Sequence, residues 1–212
     1  MNNIDFNKFP NINRGYILFS LDEDVVMQLM KFPQTLARAQ GSIIFAAAVG
    51  SNNKITDGVE PPNETRNRES NLRASLAEFV SMEEAIQRDL LNNGINKNTH
   101  KISDSSNPLL LVTRELRNFE IHLNSGTLSA KQKDFIWVLN GKEIPYAGNV
   151  WYLDNLNDSS LLQLKNAQFY DPNDLKRATN MFLNAQKNWG ISQLMLRAVK
   201  MYCDEIIATY EL

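Results

Sequence analysis

Over most of this chain the hydrophobic residues fall on three- and four-residue steps, the spacing that lines one face of an α-helix. Asp22 can cap a short helix carrying Val25, Val26, Leu29 and Met30. Pro33 interrupts it. Because proline suits a first helical turn, a second helix is predicted from there to about residue 49, with Leu36, Ile43, Ile44 and Ala47 turned inward. From residue 68 to about residue 91, Leu72, Leu76, Phe79, Ala85, Ile86 and Leu90 repeat the pattern over a long amphipathic helix. Between these two helices, residues 52–67 include Asp57-Gly58 and Pro61-Pro62, show no hydrophobic period and read as a long surface loop.

A polar linker holding His100 leads to Asn107-Pro108, an N-cap residue followed by a first-turn proline. In the helix that follows, predicted over 108–124, Leu109, Val112, Leu116, Phe119 and Leu123 form one seam for packing on a neighbour. Asn124-Ser125-Gly126 stops it. The period then changes. Phe135 to Leu139, Asn140-Gly141 and Lys142-Glu143-Ile144 give a strong hairpin signal, and Val150-Trp151-Tyr152-Leu153 offers a third strand. Pro145 argues against a central place for the second strand. Asp171-Pro172 opens another helix with Leu175, Ala178, Phe182, Ala185 and Trp189 inward. Gly190 ends it, and a last helix over 191–210 carries Leu194, Ala198, Met201, Tyr202 and Ile206. The expected architecture is mainly α: a helical bundle with a small β-hairpin insertion near residues 135–152. It is read as one domain over 1–212, with a helical core at 22–126, the insertion at 135–153 and C-terminal helices at 171–210.

Composition changes this picture little. The chain has 212 residues, 43% of them hydrophobic, long enough for a sizeable core. Twenty-two Lys and Arg against 24 Asp and Glu mark no global polyanion binder, so any nucleic-acid contact must be local. A lone cysteine, Cys203, lies in a helical apolar pattern, reads as a small buried hydrophobe and fits a reducing compartment. The first residues lack the basic start and apolar run of a secretion signal, and the longest apolar stretch, 43–49, is too short to span a bilayer. A soluble cytoplasmic protein with no membrane contact is expected. No Walker loop, dinucleotide glycine fingerprint, zinc spacing or nucleophile elbow is present, so no metal and no cofactor are implied.

The chemistry concentrates in Arg117-Asn118-Phe119-Glu120-Ile121-His122, which puts a guanidinium, an amide and one of only two histidines within about one and a half helical turns. Arg114, Asn118 and His122 share a stripe at four-residue spacing, with Arg117 on the adjoining flank. Metal-independent RNA cleavage needs groups that move protons at the 2′-hydroxyl and the leaving oxygen, plus positive charge held against the phosphate. Histidine titrates near neutrality, and arginine's planar fork grips phosphate while staying charged. In a non-catalytic helix the same string would pair Arg117 with Glu115 or Glu120 and leave His122 near a helix end.

The Arg-Asn-x-x-x-His pattern resembles the Arg-x(4-6)-His signature of the HEPN family, helical proteins many of which are metal-independent ribonucleases in toxin and antiviral systems. The resemblance covers at most the helical part over about 22–126, together with the C-terminal helices if they complete the bundle. It implies an endoribonuclease in which His122 is the general acid/base, Arg117 stabilises the phosphate and Asn118 positions it, with Arg114 as an auxiliary RNA contact. It also implies a homodimer, because motif helices of two protomers face each other in the family and one chain supplies a single such histidine. The seam beside the motif would then be partly a dimer interface. The resemblance extends to partners: an RNA substrate and an antitoxin or regulatory protein. Some toxin members carry a modifiable tyrosine two residues after the histidine; Asn124 stands there, which argues against that route of regulation. The rival readings are a non-catalytic dimerisation and interaction module, and a nucleotide-binding sensor. Elsewhere, Glu69, Arg73, Glu78, Glu83 and Glu84 read as a solvated face, His100 as a solvated linker residue, and Trp137, Trp151 and Trp189 as core residues ahead of base-stacking ones.

Overall fold

The computed structural model describes residues 3–11, 20–50, 64–122, 128–139 and 142–212. Among them are five α-helices and one hairpin: α1 (Glu23–Leu29), α2 (Pro33–Gly50), α3 (Glu64–Asn92), α4 (Pro108–His122), β1 (Leu128–Leu139), β2 (Lys142–Leu153) and α5 (Pro172–Tyr210). The mainly helical expectation, with one small antiparallel sheet, holds. None of the described helices is long and apolar enough to cross a membrane.

α2 and α3 form an antiparallel pair, because contacts met in rising order along α2 are met in falling order along α3. The Asp89 carboxylate accepts from the Gln34 and Thr35 amides and from the Thr35 hydroxyl, at 3.2, 2.8 and 2.8 Å. Arg38 reaches Glu78, Ser42 bonds Ser75, and the Val49 carbonyl accepts from Arg68. Small residues at Ala39, Ser42 and Ala46 let the two backbones approach. α3 starts at Glu64, four residues before the sequence reading, and that start places Glu64 in the first turn of α3, where its carboxylate suits the helix dipole and pairs with Arg68 one turn on. The rest of the expected loop, 52–63, lies outside the described residues.

α4 is the central helix. Asn107 caps it by accepting from the Leu109 amide at 3.0 Å, as the Asn-Pro pair predicts. Leu109, Leu110, Leu111, Val112 and Thr113 are all fully buried, so this end of the helix is enclosed on every side and not along a single seam. Leu116 and Phe119 are also covered within the chain. Leu123, the last seam residue, lies outside the described residues. Ile44, expected inward, is 66% exposed, while Ile43 beside it is buried; Met30, placed in the pattern of the first helix, is 61% exposed beside the buried Leu29. Asp22 precedes α1 without a side-chain capping bond, and its carboxylate instead meets the Lys200 ammonium at 2.9 Å.

The hairpin is longer than predicted. β1 and β2 each run twelve residues, in register from Leu128 with Leu153 to Leu139 with Lys142, so residues 150–153 continue β2 and form no third strand. The polar run from Ser129 to Asp134 concealed the start of β1. Its strand state comes from the ladder with the buried β2 root, Val150, Trp151 and Leu153, which propensity along β1 alone does not reveal. The turn at Asn140-Gly141 lies outside the described residues. At the root, the buried Gln186 amide donates to the Leu153 carbonyl and accepts its amide proton, at 3.0 and 3.1 Å, standing in for a missing strand partner.

α5 is capped by Asp171, whose carboxylate accepts from the Asn173 and Asp174 amides. It breaks where the sequence indicated, at Gly190, whose φ of 83° and ψ of 155° are open to glycine alone. A Cβ there would stand 3.1 Å from the Val150 side chain and 3.3 Å from the Trp151 carbonyl oxygen, so the absent side chain also lets β2 pack against the break.

Candidate functional site on α4

α4 is fully buried over 109–113 and half-buried at Arg114, Arg117 and Asn118, so its polar groups draw partners from neighbouring elements as well as from one another. Glu115 is 1% exposed, and a carboxylate that deep requires donors on both oxygens. It has three. Arg114 Nη1 and the Tyr170 hydroxyl donate to Oε1 at 2.9 and 3.1 Å, and Asn118 Nδ2 donates to Oε2 at 3.1 Å. Arg114 Nε also stands 3.7 Å from Glu83 Oε1, an oxygen that accepts from the Ile102 amide at 2.8 Å. Tyr170 is brought in by the short 3-10 turn of Lys165–Phe169 that follows the hairpin. A single network thus ties α3, the linker before α4, α4 itself and the segment leading into α5.

Charge follows from the geometry. Burial alone would lower the Arg114 guanidinium's pKa, but Glu115, Tyr170 and Glu83 together carry it above its ordinary value. Burial and then the Glu115 charge hold the Tyr170 phenol well above its ordinary 10.0, so at neutral pH it is a donor.

The residues singled out from the sequence divide. Arg114, expected to add an RNA contact, has its guanidinium engaged by two carboxylates. Asn118 stands between Glu115 and Arg117, its Oδ1 accepting from Arg117 Nη1 at 3.3 Å. Arg117 is half-buried. Its partner is that amide, not Glu115, and among the described residues no carboxylate lies within salt-bridge distance of it, while its Nε is buried without a partner. His122 is the last residue of α4; its imidazole and the Glu120 side chain lie outside what is described.

Three residues take supporting roles that the sequence did not indicate. Glu115 and Tyr170 look unremarkable in the chain, since 55 positions separate them; only the three-residue step from Glu115 to Asn118 hinted at contact. Glu83 belonged to an expected solvated face, yet it anchors the linker and meets Arg114. Elsewhere on that face Glu78 pairs with Arg38, and Glu69 accepts from the Leu128 amide at 3.3 Å.

His100 is not simply solvated. Its side chain is 17% exposed, with Nε2 at 3.0 Å from Glu205 Oε2, while Ser105 donates to the other oxygen of Glu205 at 2.8 Å. The Tyr202 hydroxyl donates to the His100 carbonyl and that of Tyr210 to the Asn98 carbonyl, pinning the linker to the end of α5. Trp151 is a buried core residue with the Arg68 guanidinium over its ring at 4.4 Å. The Trp137 side chain lies outside the described residues. No group of His, Cys, Asp and Glu suited to a metal ion occurs among the described residues.

Compared with known proteins, the chain matches no family model, no curated sequence and no solved structure. By its own geometry it is a mainly helical protein with a long antiparallel hairpin, in which α4 carries an arginine on either side of a buried carboxylate.

Proposed function

We propose that the chain is a metal-independent endoribonuclease of HEPN type that works as a homodimer in the cytoplasm, in a toxin or antiviral setting. His122 transfers protons, Arg117 holds the phosphodiester and Asn118 fixes the arginine's approach. The observation that supports this reading is the contrast between two neighbouring cations. Arg114 is matched by carboxylates, whereas Arg117 has a neutral amide for its partner among the described residues and so keeps charge for an anion. Leu116 and Phe119 of the seam are covered within one chain, so a two-fold contact would use the polar flank of α4, where a composite cleft needs it.

Incubation of purified protein with labelled RNA in excess EDTA is the test. Cleavage is expected, and Arg117→Ala or His122→Ala should lower its rate by about 10²–10⁴-fold, the usual size of a lost proton-transfer or charge-stabilising group. Failure of the wild-type chain to cut any RNA, or retention of full cleavage by both variants, overturns the proposal. A second reading, a non-catalytic interaction module, draws on the tie between Asn118 and Glu115, which is also what a purely structural network would use. It is the reading left standing if no RNA is cut.

A further inference from the structure

We propose that Glu115 is a positioning residue, which orients the Arg117 guanidinium toward a phosphodiester through the side-chain amide of Asn118; the phosphodiester as ligand rests on the ribonuclease reading above. Asn118 lies between a group that can only accept and one that can only donate. One orientation of the amide serves both: nitrogen toward Glu115 Oε2 at 3.1 Å, oxygen toward Arg117 Nη1 at 3.3 Å. The reversed amide would face carboxylate with carbonyl and guanidinium with amino group, losing both bonds and adding two repulsions.

Glu115 can impose this order because it is itself immobile. It is 1% exposed, and its other oxygen is held by Arg114 and by Tyr170, which follows the hairpin in the chain. The same contacts answer its charge with Arg114, while Arg117 meets no carboxylate among the described residues. Arg117 Nε is buried, so the guanidinium cannot swing freely, and the Asn118 carbonyl sets which edge stays open. A two-step relay, Tyr170 and Arg114 to Glu115, then Asn118 to Arg117, fixes a side chain that its own helix turn would leave with several rotamers.

Three variants test it: Glu115→Gln, whose amide can donate where the carboxylate could only accept; Asn118→Leu, which removes the bridge; and Tyr170→Phe, which removes one hydroxyl. The first readout is the Nε–Hε signal of Arg117 in nitrogen-15 NMR spectra, assigned with Arg117→Lys, because it reports the guanidinium whether or not RNA is cut. Hydrogen exchange of that proton should be slow in the wild type and faster by about tenfold or more in Glu115→Gln and Asn118→Leu, with a smaller change in Tyr170→Phe. The second is RNA cleavage, where kcat should fall about 10–100-fold, as for other supporting-shell residues, with KM altered less than about twofold.

An Arg117 signal unchanged in folded Glu115→Gln and Asn118→Leu overturns the proposal. So does a loss of cleavage that lies wholly in KM. Should Glu115→Gln fail to fold, the half-buried Asn118→Leu decides alone. Wild-type protein that cuts no RNA while its Arg117 signal responds as expected removes the nuclease reading and leaves the positioning role intact.

Discussion

At the scale of single residues, burial decides what a charge does. Asp89 and Glu115 are both carboxylates on helices, and both are sealed from solvent with every contact supplied by the protein. Asp89 caps α2 from another helix, since Pro33 and its neighbours offer no local cap and the Gln34 and Thr35 amides would otherwise be orphaned. Asp89→Ala is expected to cost about 2–4 kcal/mol in urea unfolding, at or above the top of the range for a lost cap because the amides are left buried. Asp89→Asn, which keeps one acceptor oxygen, should lose clearly less; equal losses in the two variants would show that the amides find other partners.

Helices and strands carry a different constraint, the close approach of one backbone to another. Gly190 breaks α5 at a conformation barred to other residues and admits the root of β2, so two independent costs meet at one position. Gly190→Ala should destabilise the protein by about 2–4 kcal/mol, combining about 1–3 kcal/mol of backbone strain with displacement of Val150 or the Trp151 carbonyl. Thermal unfolding followed by circular dichroism measures it. An unchanged melting temperature would mean that the break relaxes into continuous helix. Gln186, bonded to both backbone groups of Leu153, completes the anchorage of a hairpin that as two isolated strands would be marginal in water.

Across the whole molecule, one core cluster runs from Ile4 to Tyr210 and takes several titratable groups with it. Burial pushes the Cys203 thiol from its ordinary 9.0 up to about 12, and burial likewise raises the phenols of Tyr170, Tyr202 and Tyr210. The sign follows directly. Each acid is neutral in the folded chain over a range where the unfolded chain has already released its proton, so ionisation favours unfolding as pH rises. Stability should therefore be flat in these groups near neutrality and fall from about pH 9 upward, most steeply beyond 10. Melting temperatures between pH 7 and 11, with tyrosine absorbance at the same pH values, check this. Free ionisation of all six tyrosines at pH 10 in folded protein would contradict the enclosed core. The folded Cys203 thiol should likewise resist alkylation at neutral pH and react once the chain is denatured.

What could be read from the chain was whatever depends on neighbours a few residues apart. Helical periodicity, the Asn107-Pro108 and Asp171-Pro172 caps, the stop at Gly190 and the presence of a hairpin are local signals, and the fold keeps them all. The Arg117, Asn118 and His122 string was equally visible, since one helix turn sets its spacing. Tertiary structure alone decided the rest, because it turns on which distant groups share a buried space. It extended β1 through a polar run by pairing it with a buried strand, enclosed the first turns of α4 on every side, set His100 against Glu205, and set Glu115 between Arg114, Tyr170 and Asn118. Desolvation is the physical reason: a charge withdrawn from water must find partners wherever the chain has carried them, and no period along the sequence records that distance.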